Sequence, residues 1–301
     1  MTARVTVVVN PTSGRGRAAR VLPEVQHSLA SIGAEVVVSD GPEHAQELAR
    51  KAAEAGSEIV VAMGGDGMVG MVGAALIGIG TGAALGLIPT GTGNDFAVAL
   101  GYDRKNPAAA AAYLERPTFL EIDAGLIRWS GGERHYVNVA GTGFDSDVTE
   151  TANRMRTRVQ GTAKYVVAVL KTLPGFRPGR FEVVADGERH RLPGMMLAIG
   201  NGVSYGGGMK ITPGALLTDG RLDVTVIGAM PKPQFLANFP KVFRGTHVTH
   251  PKVTTLRGSK FEVSADREFQ VYADGEHVGP LPATFEVVPK ALRVVVPPSR
   301  A

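Results

Sequence analysis

The first third of the chain alternates two hydrophobic patterns. Short apolar runs without intervening polar positions predict buried strands, and stretches with an apolar residue at every third or fourth position predict helices. Apolar runs separated by helices are typical of parallel strands that are covered on both faces. We therefore predict an α/β domain with a parallel sheet. Its predicted strands are Val5–Val9, Glu35–Ser39, Glu58–Met63 and Ala84–Ile88, and its predicted helices are residues 17–31, Pro42–Ala55 and Val69–Ile77.

The pattern changes from about Phe119. Short apolar runs are now separated by Gly, Pro and Asp, which is typical of mostly antiparallel β structure. We place the boundary near Asp123, so that residues 1–122 form the α/β domain and residues 123–288 form a β-rich domain. The β-rich part has two predicted helices, Ala163–Leu173 and Gln234–Val242. Its predicted strands are Tyr136–Val139, Phe181–Val184, Met195–Ile199, Leu222–Ile227, Phe261–Val263, Phe269–Tyr272 and Phe285–Val288.

Length and composition fit this two-domain interpretation. The chain has 301 residues, of which 44% are hydrophobic and 20% charged, an ordinary composition for a folded protein. It has no Cys, which excludes disulfides, thiolate catalysis and Cys-ligated metal sites and fits a reducing compartment. We find neither a secretory signal nor an apolar window long enough to span a bilayer, so we expect a cytoplasmic protein.

Basic charge is concentrated in one segment. Residues 1–122 hold nine Lys and Arg against twelve Asp and Glu, whereas residues 151–180 hold seven Lys and Arg and no acid. Such a segment is typical of docking on an anionic membrane surface, or of a solvated helix face whose apolar side packs on the sheet. Nucleic acid is disfavoured because the segment lacks a recognisable binding fold and an aromatic platform. The amphipathic part contains Arg154, Arg156, Arg158, Lys164 and Lys171 beside Tyr165, Val166, Val167, Val169 and Leu170.

Three glycine-rich loops follow strands of the first domain. They are NPTSGRG (Asn10–Gly16), GGDGMVG (Gly64–Gly70) and PTGTGND (Pro89–Asp95). In a parallel sheet these loops emerge at the carboxyl edge, where small residues let backbone N–H groups approach a phosphate. Hydroxyl donors and guanidinium groups in the loops add to this chemistry. The sequence therefore predicts a phosphate-bearing ligand. The added groups are Ser13, Thr90, Thr92, Arg15 and Arg17.

Two other phosphate-binding patterns account for the loops less well. Gly14, Gly16 and Ala19 fit the dinucleotide fingerprint G-x-G-x-x-A, with Asp40 at the end of the second strand. A dinucleotide-dependent dehydrogenase would leave the other two loops without a role. A Walker P-loop is absent, because Gly202–Gly207 is followed by Gly208 and not by Lys.

The loops, taken with two later segments, resemble a known family. GNGVSYGGGMKITPGALLTDGRLDV (Gly200–Val224) and ADGE (Ala273–Glu276) complete a pattern similar to the bacterial diacylglycerol kinases, a family that includes sphingosine-kinase-like lipid kinases. The GGDG loop is shared with NAD kinases, whereas the later segments favour the lipid kinases. The resemblance implies ATP- and Mg²⁺-dependent phosphorylation of a lipid alcohol such as diacylglycerol at the inner membrane face. It also implies that Leu292–Val296, within residues 289–301, returns to the first domain, and it allows a homodimer.

The resemblance assigns roles to individual residues. Glu276 matches the proton acceptor, with Asp274 as the alternative, although Asp274-Gly275 also reads as a hairpin turn. Asp66 would position nucleotide-bound Mg²⁺. A second magnesium site matches Asp219 with the backbone carbonyls of Leu216 and Arg221. The residues that match ATP contacts are Asn10, Pro11, Thr12, Ser13, Gly14, Ser39, Gly64, Gly65, Asp66, Gly67, Met68, Thr90, Gly91, Thr92, Asn94 and Asp95.

The chain departs from the family pattern at two positions. Met68 and Gly70 stand where the family usually has Thr and Asn, and Met offers no hydrogen-bond proton to a phosphate. Other donors compensate, or the enzyme is slow, or the chain is a non-catalytic protein that binds nucleotide or lipid. Met68 also suits a packing position beneath the loop. A soluble NAD-kinase-like enzyme remains the alternative enzyme class.

Overall fold

The computed structural model describes residues 3–155 and 162–300. The chain divides into two compact units. The first contains the residues up to Ile122 together with the segment from Lys290, and the second contains Asp123–Pro289.

The first unit alternates strands and helices. Each strand is followed by a loop and a helix, which is the arrangement that produces a parallel sheet. The elements are β1 (Val5–Val9), α1 (Ser13–Leu29), β2 (Glu35–Val38), α2 (Pro42–Glu54), β3 (Ile59–Gly64), α3 (Asp66–Ile79), β4 (Ala84–Pro89), α4 (Asp95–Ala99) and α5 (Pro107–Ala112), after which β5 (Thr118–Trp129) begins.

The second unit consists mostly of strands. Its elements are β6 (Gly132–Tyr136), β7 (Val139–Gly143), α6 (Phe144–Arg154), α7 (Thr162–Thr172), β8 (Gly179–Ala185), β9 (Glu188–Gly200), β10 (Leu222–Gly228), α8 (Lys232–Asn238), α9 (Pro240–Arg244), β11 (Val253–Gly258), β12 (Lys260–Ala265), β13 (Gln270–Ala273), β14 (Glu276–Pro280) and the first part of β15 (Ala283–Val296).

The sheet of the first unit is parallel. Its order is β15–β4–β3–β1–β2, and the last residues of β15 join it beside β4, with Val294 opposite Leu85. Every residue of β1, β3 and β4 is buried, whereas β2 at the edge of the sheet leaves Val38 exposed. Unbroken burial is the reason why these strands read as continuous apolar runs in the sequence.

The strands of the second unit pair antiparallel. The path β14–β13–β7–β9–β8–β12–β15 is extended by β10, which lies between β9 and β11, and β6 pairs with β5. The long strand β9 pairs with β8 through its first half and with β7 and β10 through its second half. The predicted combination of an α/β unit and an antiparallel β unit is confirmed.

Aromatic side chains form much of the second core. The ring of Phe144 lies edge-on to Phe176 and Phe235, with centroid distances of 5.1 and 5.2 Å. Phe269 stacks on Phe181 at 5.3 Å. Edge-on and offset rings of this kind stabilise a core beyond the burial of their area.

Two sequence-based element predictions are wrong. Tyr136–Val139 is not one strand: Tyr136 ends β6 and Val139 begins β7, because the amides between them bind a side chain and not a neighbouring strand. The helix predicted over Gln234–Val242 is two helices, since Pro240 lacks the N–H that a continuous helix needs.

Candidate functional site

The second and third glycine-rich loops are joined by backbone contacts. The carbonyl oxygen of Gly64 accepts hydrogen bonds from Thr90 N at 2.9 Å and Gly91 N at 3.1 Å. Gly91 lies so close to Gly65 that a Cβ atom on Gly91 would overlap the Cα of Gly65. Position 91 therefore needs glycine for the loops to meet, and a Cβ atom on Gly65 would make a tight contact of 3.3 Å with the Cα of Gly91.

The first loop contacts the third in the same way. A Cβ atom on Gly14 would overlap the carbonyl oxygen of Thr90. Gly14, Arg15 and Gly16 all have left-handed φ angles, of 57°, 60° and 73°. A left-handed residue after right-handed ones turns successive N–H groups inward, which is the geometry of an anion-binding nest. The three loops thus form one surface at the carboxyl edge of the parallel strands.

Polar side chains stabilise these loops. Oδ1 of Asp66 accepts a hydrogen bond of 3.0 Å from the amide of Phe96, in the first turn of α4. Asn94, whose φ is 55°, donates from Nδ2 to the carbonyl of Gly91 at 2.9 Å. Asn10 accepts at Oδ1 from the amide and hydroxyl of Thr12, at 3.1 and 2.8 Å. These bonds hold the predicted ligand residues in place.

Some predicted ligand groups are bonded elsewhere or are buried. The Ser39 hydroxyl donates to the carbonyl of Val9 at 3.0 Å, and the Thr90 hydroxyl is fully buried. Arg17 donates to the carbonyls of Arg104 and Lys105, so its guanidinium holds another loop. Thr92 is exposed at the tip of the third loop, which leaves it as the better-placed hydroxyl donor for a phosphate.

Met68 packs beneath the second loop. Its side chain is 3% exposed, and a Cβ atom on Gly64 would overlap it. Only the backbone of Met68 is therefore available to a ligand on the loop surface. Of the remaining predicted contacts, Ser13 and Asp95 are buried, whereas Pro11 and Gly67 are partly exposed.

In the second unit, Asp274 fixes the turn between β13 and β14. Asp274 and Gly275 have φ angles of 51° and 86°, as a tight hairpin turn requires. Oδ2 accepts from Val137 N at 2.8 Å, and Oδ1 accepts from Asn138 N and Val139 N at 3.0 and 3.3 Å. Burial raises the pKa of Asp274 to about 6, although these amide bonds act in the opposite direction.

Glu276 lies two residues further on and is engaged differently. It begins β14, is half-buried, and has no hydrogen bond or ion pair within the described part of the chain. Burial raises the pKa of its carboxyl, and the nearby guanidinium of Arg134 lowers it. A carboxylate with free oxygens and a raised pKa suits proton transfer. Of the two carboxylates, Asp274 is thus the one whose oxygens are used by backbone amides, and Glu276 is the one with no such bond to a described residue.

The predicted magnesium loop contains a network of carboxylates. Asp219 accepts from Arg221 N at 3.0 Å and contacts the guanidinium of Arg257. Oδ2 of Asp223 is buried without a hydrogen-bond donor from the described residues and lies 3.6 Å from Arg257 Nε. Asp123 accepts from Gly220 N at 2.7 Å and donates its own amide to the carbonyl of Leu217.

The magnesium assignment depends on carbonyl oxygens as much as on carboxylates. In residues 3–155 and 162–300, no three His, Asp or Glu side chains are grouped as a metal site. Asp219, Asp223 and the loop carbonyls are hard oxygen groups of the kind that Mg²⁺ prefers, and both carboxylates also contact the guanidinium of Arg257. Asp223 was not among the residues predicted from the sequence, although it stands four residues after Asp219 in TDGRLD, which was a usable signal.

The basic segment is partly described. Arg156 and Arg158 lie outside the described residues, and Arg154 pairs with Glu150 at 2.6 Å. In α7, Val169 is buried while Leu170 and Lys171 are exposed. A second acid-free stretch, residues 224–261, holds six Lys and Arg and was not predicted from the sequence to be a basic segment. No helix in the described part of the chain is long and apolar enough to cross a bilayer.

Comparison with known proteins gives the family. The diacylglycerol kinase catalytic domain model matches residues 4–127, and the YegS C-terminal NAD kinase beta sandwich-like domain model matches residues 138–296. A diacylglycerol kinase of Mycobacterium tuberculosis is 39% identical over 298 residues, which are 98% of this chain and 95% of the relative. The chain belongs to the diacylglycerol kinase family. The family indicated by the sequence motifs is thereby confirmed, and family membership supports a phosphotransferase of the lipid kinase class.

Other relatives extend the same result. A probable lipid kinase YegS-like protein of Pseudomonas fluorescens is 34% identical over 254 residues, 84% of this chain and 82% of that protein. A crystal structure of a putative diacylglycerol kinase from Bacillus anthracis has a TM-score of 0.82 at 21% identity and covers 99% of this chain and 96% of its own. At that identity the crystal structure shows the shared fold.

We expect Asp274 to contribute mainly to stability. Asp274→Ala leaves three backbone amides without an acceptor and should lower the free energy of unfolding by about 3 kcal/mol in urea denaturation. Asp274→Asn retains one acceptor oxygen and the turn conformation, so it should lose less. Glu276→Gln, the matched control, should stay within about 0.5 kcal/mol of the parent. Full stability of Asp274→Ala would show that the three bonds do not hold the turn.

Proposed function

We propose that this protein transfers the γ-phosphate of ATP to the hydroxyl of diacylglycerol or a related lipid alcohol. The observation that carries the proposal is the joining of three glycine-rich loops into one surface by backbone contacts at Gly14, Gly64, Gly65 and Gly91. A surface built from loop amides and a helix N-terminus is complementary to a chain of phosphates.

Each part of the transfer has a residue suited to it. The loop N–H groups and the exposed Thr92 hydroxyl orient the phosphates and stabilise charge on the transferred group. Glu276 accepts the proton that the lipid hydroxyl loses as its oxygen bonds to the γ-phosphorus and the bond to ADP breaks. Asp274 positions Glu276 by fixing the turn that precedes it.

Asp66 and the Asp219 loop are the residues that would hold Mg²⁺. When bound, Mg²⁺ offsets the negative charge of the phosphates. The Asp66 carboxylate begins α3, next to the loop surface, and keeps one oxygen on the amide of Phe96. Asp219 and Asp223 would order the loop of the second unit.

Transfer of labelled γ-phosphate to lipid alcohols in mixed micelles tests the proposal. We expect a labelled lipid phosphate that disappears without Mg²⁺ and falls by about 10²–10⁴ in Glu276→Gln. Glu262→Gln, which removes an exposed carboxylate in the same unit, should leave the rate unchanged. Transfer to NAD alone would support the NAD-kinase-like alternative, and ATP binding without transfer to any acceptor would support a binding protein.

Replacing Arg134 should shift the acidic side of the pH profile of kcat. Glu276 must be ionised to accept a proton, and Arg134 lowers its pKa. Arg134→Gln removes that effect, so the pKa of Glu276 should rise and the acid limb of kcat should move to higher pH. Arg128→Gln, which alters another guanidinium on the paired strand β5, should leave the limb in place. An unmoved or downward-shifted limb in Arg134→Gln would remove Glu276 from the role of base.

Met68 tests whether the departure from the family pattern impairs catalysis. Because its side chain packs beneath the loop, we expect the natural chain to be active and Met68→Thr to change kcat less than about tenfold. The same variant should unfold more easily by about 2 kcal/mol, since it shortens a buried side chain. Met68→Leu keeps the volume and should resemble the parent in both assays. Activity that arises only in Met68→Thr would make the natural protein a binder.

We propose further that the protein docks at the anionic inner face of the membrane through α7, α8 and α9. These helices contain no acidic residue, and they expose Lys171, Lys232 and Lys241 beside Leu170 and Leu236. Exposed apolar side chains among cations are typical of peripheral membrane binding.

Sedimentation with anionic vesicles tests this docking. Lys171→Glu combined with Lys241→Glu should weaken binding by about 30-fold, since each cation near the surface contributes about 1 kcal/mol. Arg50→Glu with Lys51→Glu makes the same charge change on α2 and should have little effect. Equal losses in both double variants would indicate a response to net charge and not to this surface.

A further inference from the structure

The second unit contains an apolar cavity that no step of the proposed reaction uses. Side chains from α6, α7, α8, α9, β9 and β10 line it. Most of its lining is aliphatic or aromatic, including Val148, Val169, Met196 and Phe235. Apolar walls with a few polar groups are typical of a small-molecule site.

One polar atom in the wall of this cavity lacks a partner. His247 is 2% exposed, and its Nε2 lies 3.2 Å from the carbonyl oxygen of Ile211. Since a carbonyl can only accept, Nε2 carries the proton and Nδ1 is left as an acceptor. Nδ1 is buried and has no hydrogen-bond partner among the described residues.

A second histidine in the same wall has no unpaired acceptor. His250 Nδ1 accepts from the amide of Lys252 at 3.1 Å, which leaves the proton on Nε2, 3.3 Å from the side-chain amide of Gln234. The buried Asp145 is also paired, because it accepts a hydrogen bond from the hydroxyl of Tyr205. Within the part of the chain that the structure describes, His247 Nδ1 is therefore the buried acceptor of the cavity wall that lacks a donor, and buried acceptors of this kind normally have one.

We propose that the cavity binds an aliphatic chain that carries a hydrogen-bond donor such as a hydroxyl, with the chain on the apolar wall and the donor on His247 Nδ1. The inference rests on the proposed function and narrows its acceptor. Diacylglycerol has a single hydroxyl, which the transfer consumes. A donor for His247 requires a second hydroxyl or an N–H group, so the preferred substrates are lipid alcohols that have one.

Equilibrium binding of two matched probes to the whole chain, without nucleotide, tests the site. 1-Decanol and 1-methoxydecane share a ten-carbon chain, but the ether cannot donate a hydrogen bond. We expect the parent to bind decanol at least tenfold more tightly than the ether by titration calorimetry. His247→Phe should bind the two probes with equal affinity, whereas His250→Phe should keep the preference. No preference in the parent, or a preference that survives in His247→Phe, overturns the proposal.

Two measurements guard against variants that fail to fold. The first measurement uses the parent and needs no substitution. The ¹⁵N resonance of His247 Nδ1 should shift when decanol is added and stay in place when the ether is added. The second measurement uses Val169→Trp and Val242→Phe, each of which fills the cavity. Both variants should bind each probe at least tenfold more weakly, and their near-ultraviolet circular dichroism should remain native. Unchanged binding in natively folded Val169→Trp and Val242→Phe would locate the probe elsewhere and overturn the site.

The outcome is separable from that of the kinase proposal. Binding is measured without ATP and so does not depend on phosphate transfer. If the protein transfers no phosphate but prefers decanol to the ether through His247, the cavity site stands and the kinase proposal is overturned. If natively folded Val169→Trp phosphorylates lipids as fast as the parent does, the kinase proposal stands and the cavity site is overturned. In the transfer assay, a lipid with two hydroxyls should have at least tenfold higher kcat/KM than its single-hydroxyl counterpart, and His247→Phe should abolish the difference.

Discussion

The close approach of Gly65 and Gly91 is the constraint on which the first unit's loop surface depends. Parallel strands bring their following loops to one edge, but they do not by themselves make those loops touch. Contact requires positions without a Cβ atom, and the carbonyl of Gly64 then receives two amides from the neighbouring loop. The left-handed residues Gly14 to Gly16 bring the first loop against the same region. These contacts fix the N–H groups of the three loops in place before any ligand binds.

Asp274 and Glu276, two neighbouring carboxylates of the second unit, have different surroundings. Asp274 uses its oxygens on three backbone amides, which also explains why the chain between β6 and β7 forms no ladder. Glu276 is left without a partner in the described structure, close to Arg134. The hairpin-turn interpretation and the catalytic interpretation of Ala273–Glu276 are therefore compatible, since each belongs to a different side chain.

Patterns of short range predicted most of the architecture. Continuous apolar runs located the parallel strands of the first unit, and the glycine motifs indicated both the loop surface and the family. Features that depend on distant partners escaped prediction: the burial of Thr90, the use of Arg17 on Arg104 and Lys105, and the pairing of Asp219 with Arg257. The cavity around His247 is of the same kind, because its walls come from helices and strands far apart in the chain.

Binding of a fluorescent ATP analogue to Gly91→Ala tests the central claim most directly. The added methyl group would overlap Gly65, so the joined loops should separate and affinity should fall at least tenfold, or about 1.4 kcal/mol. Gly78→Ala, on α3 with open space around it, provides the matched control and should bind as the parent does. Parent-like affinity in a natively folded Gly91→Ala would contradict the claim that contact between these loops makes the phosphate site.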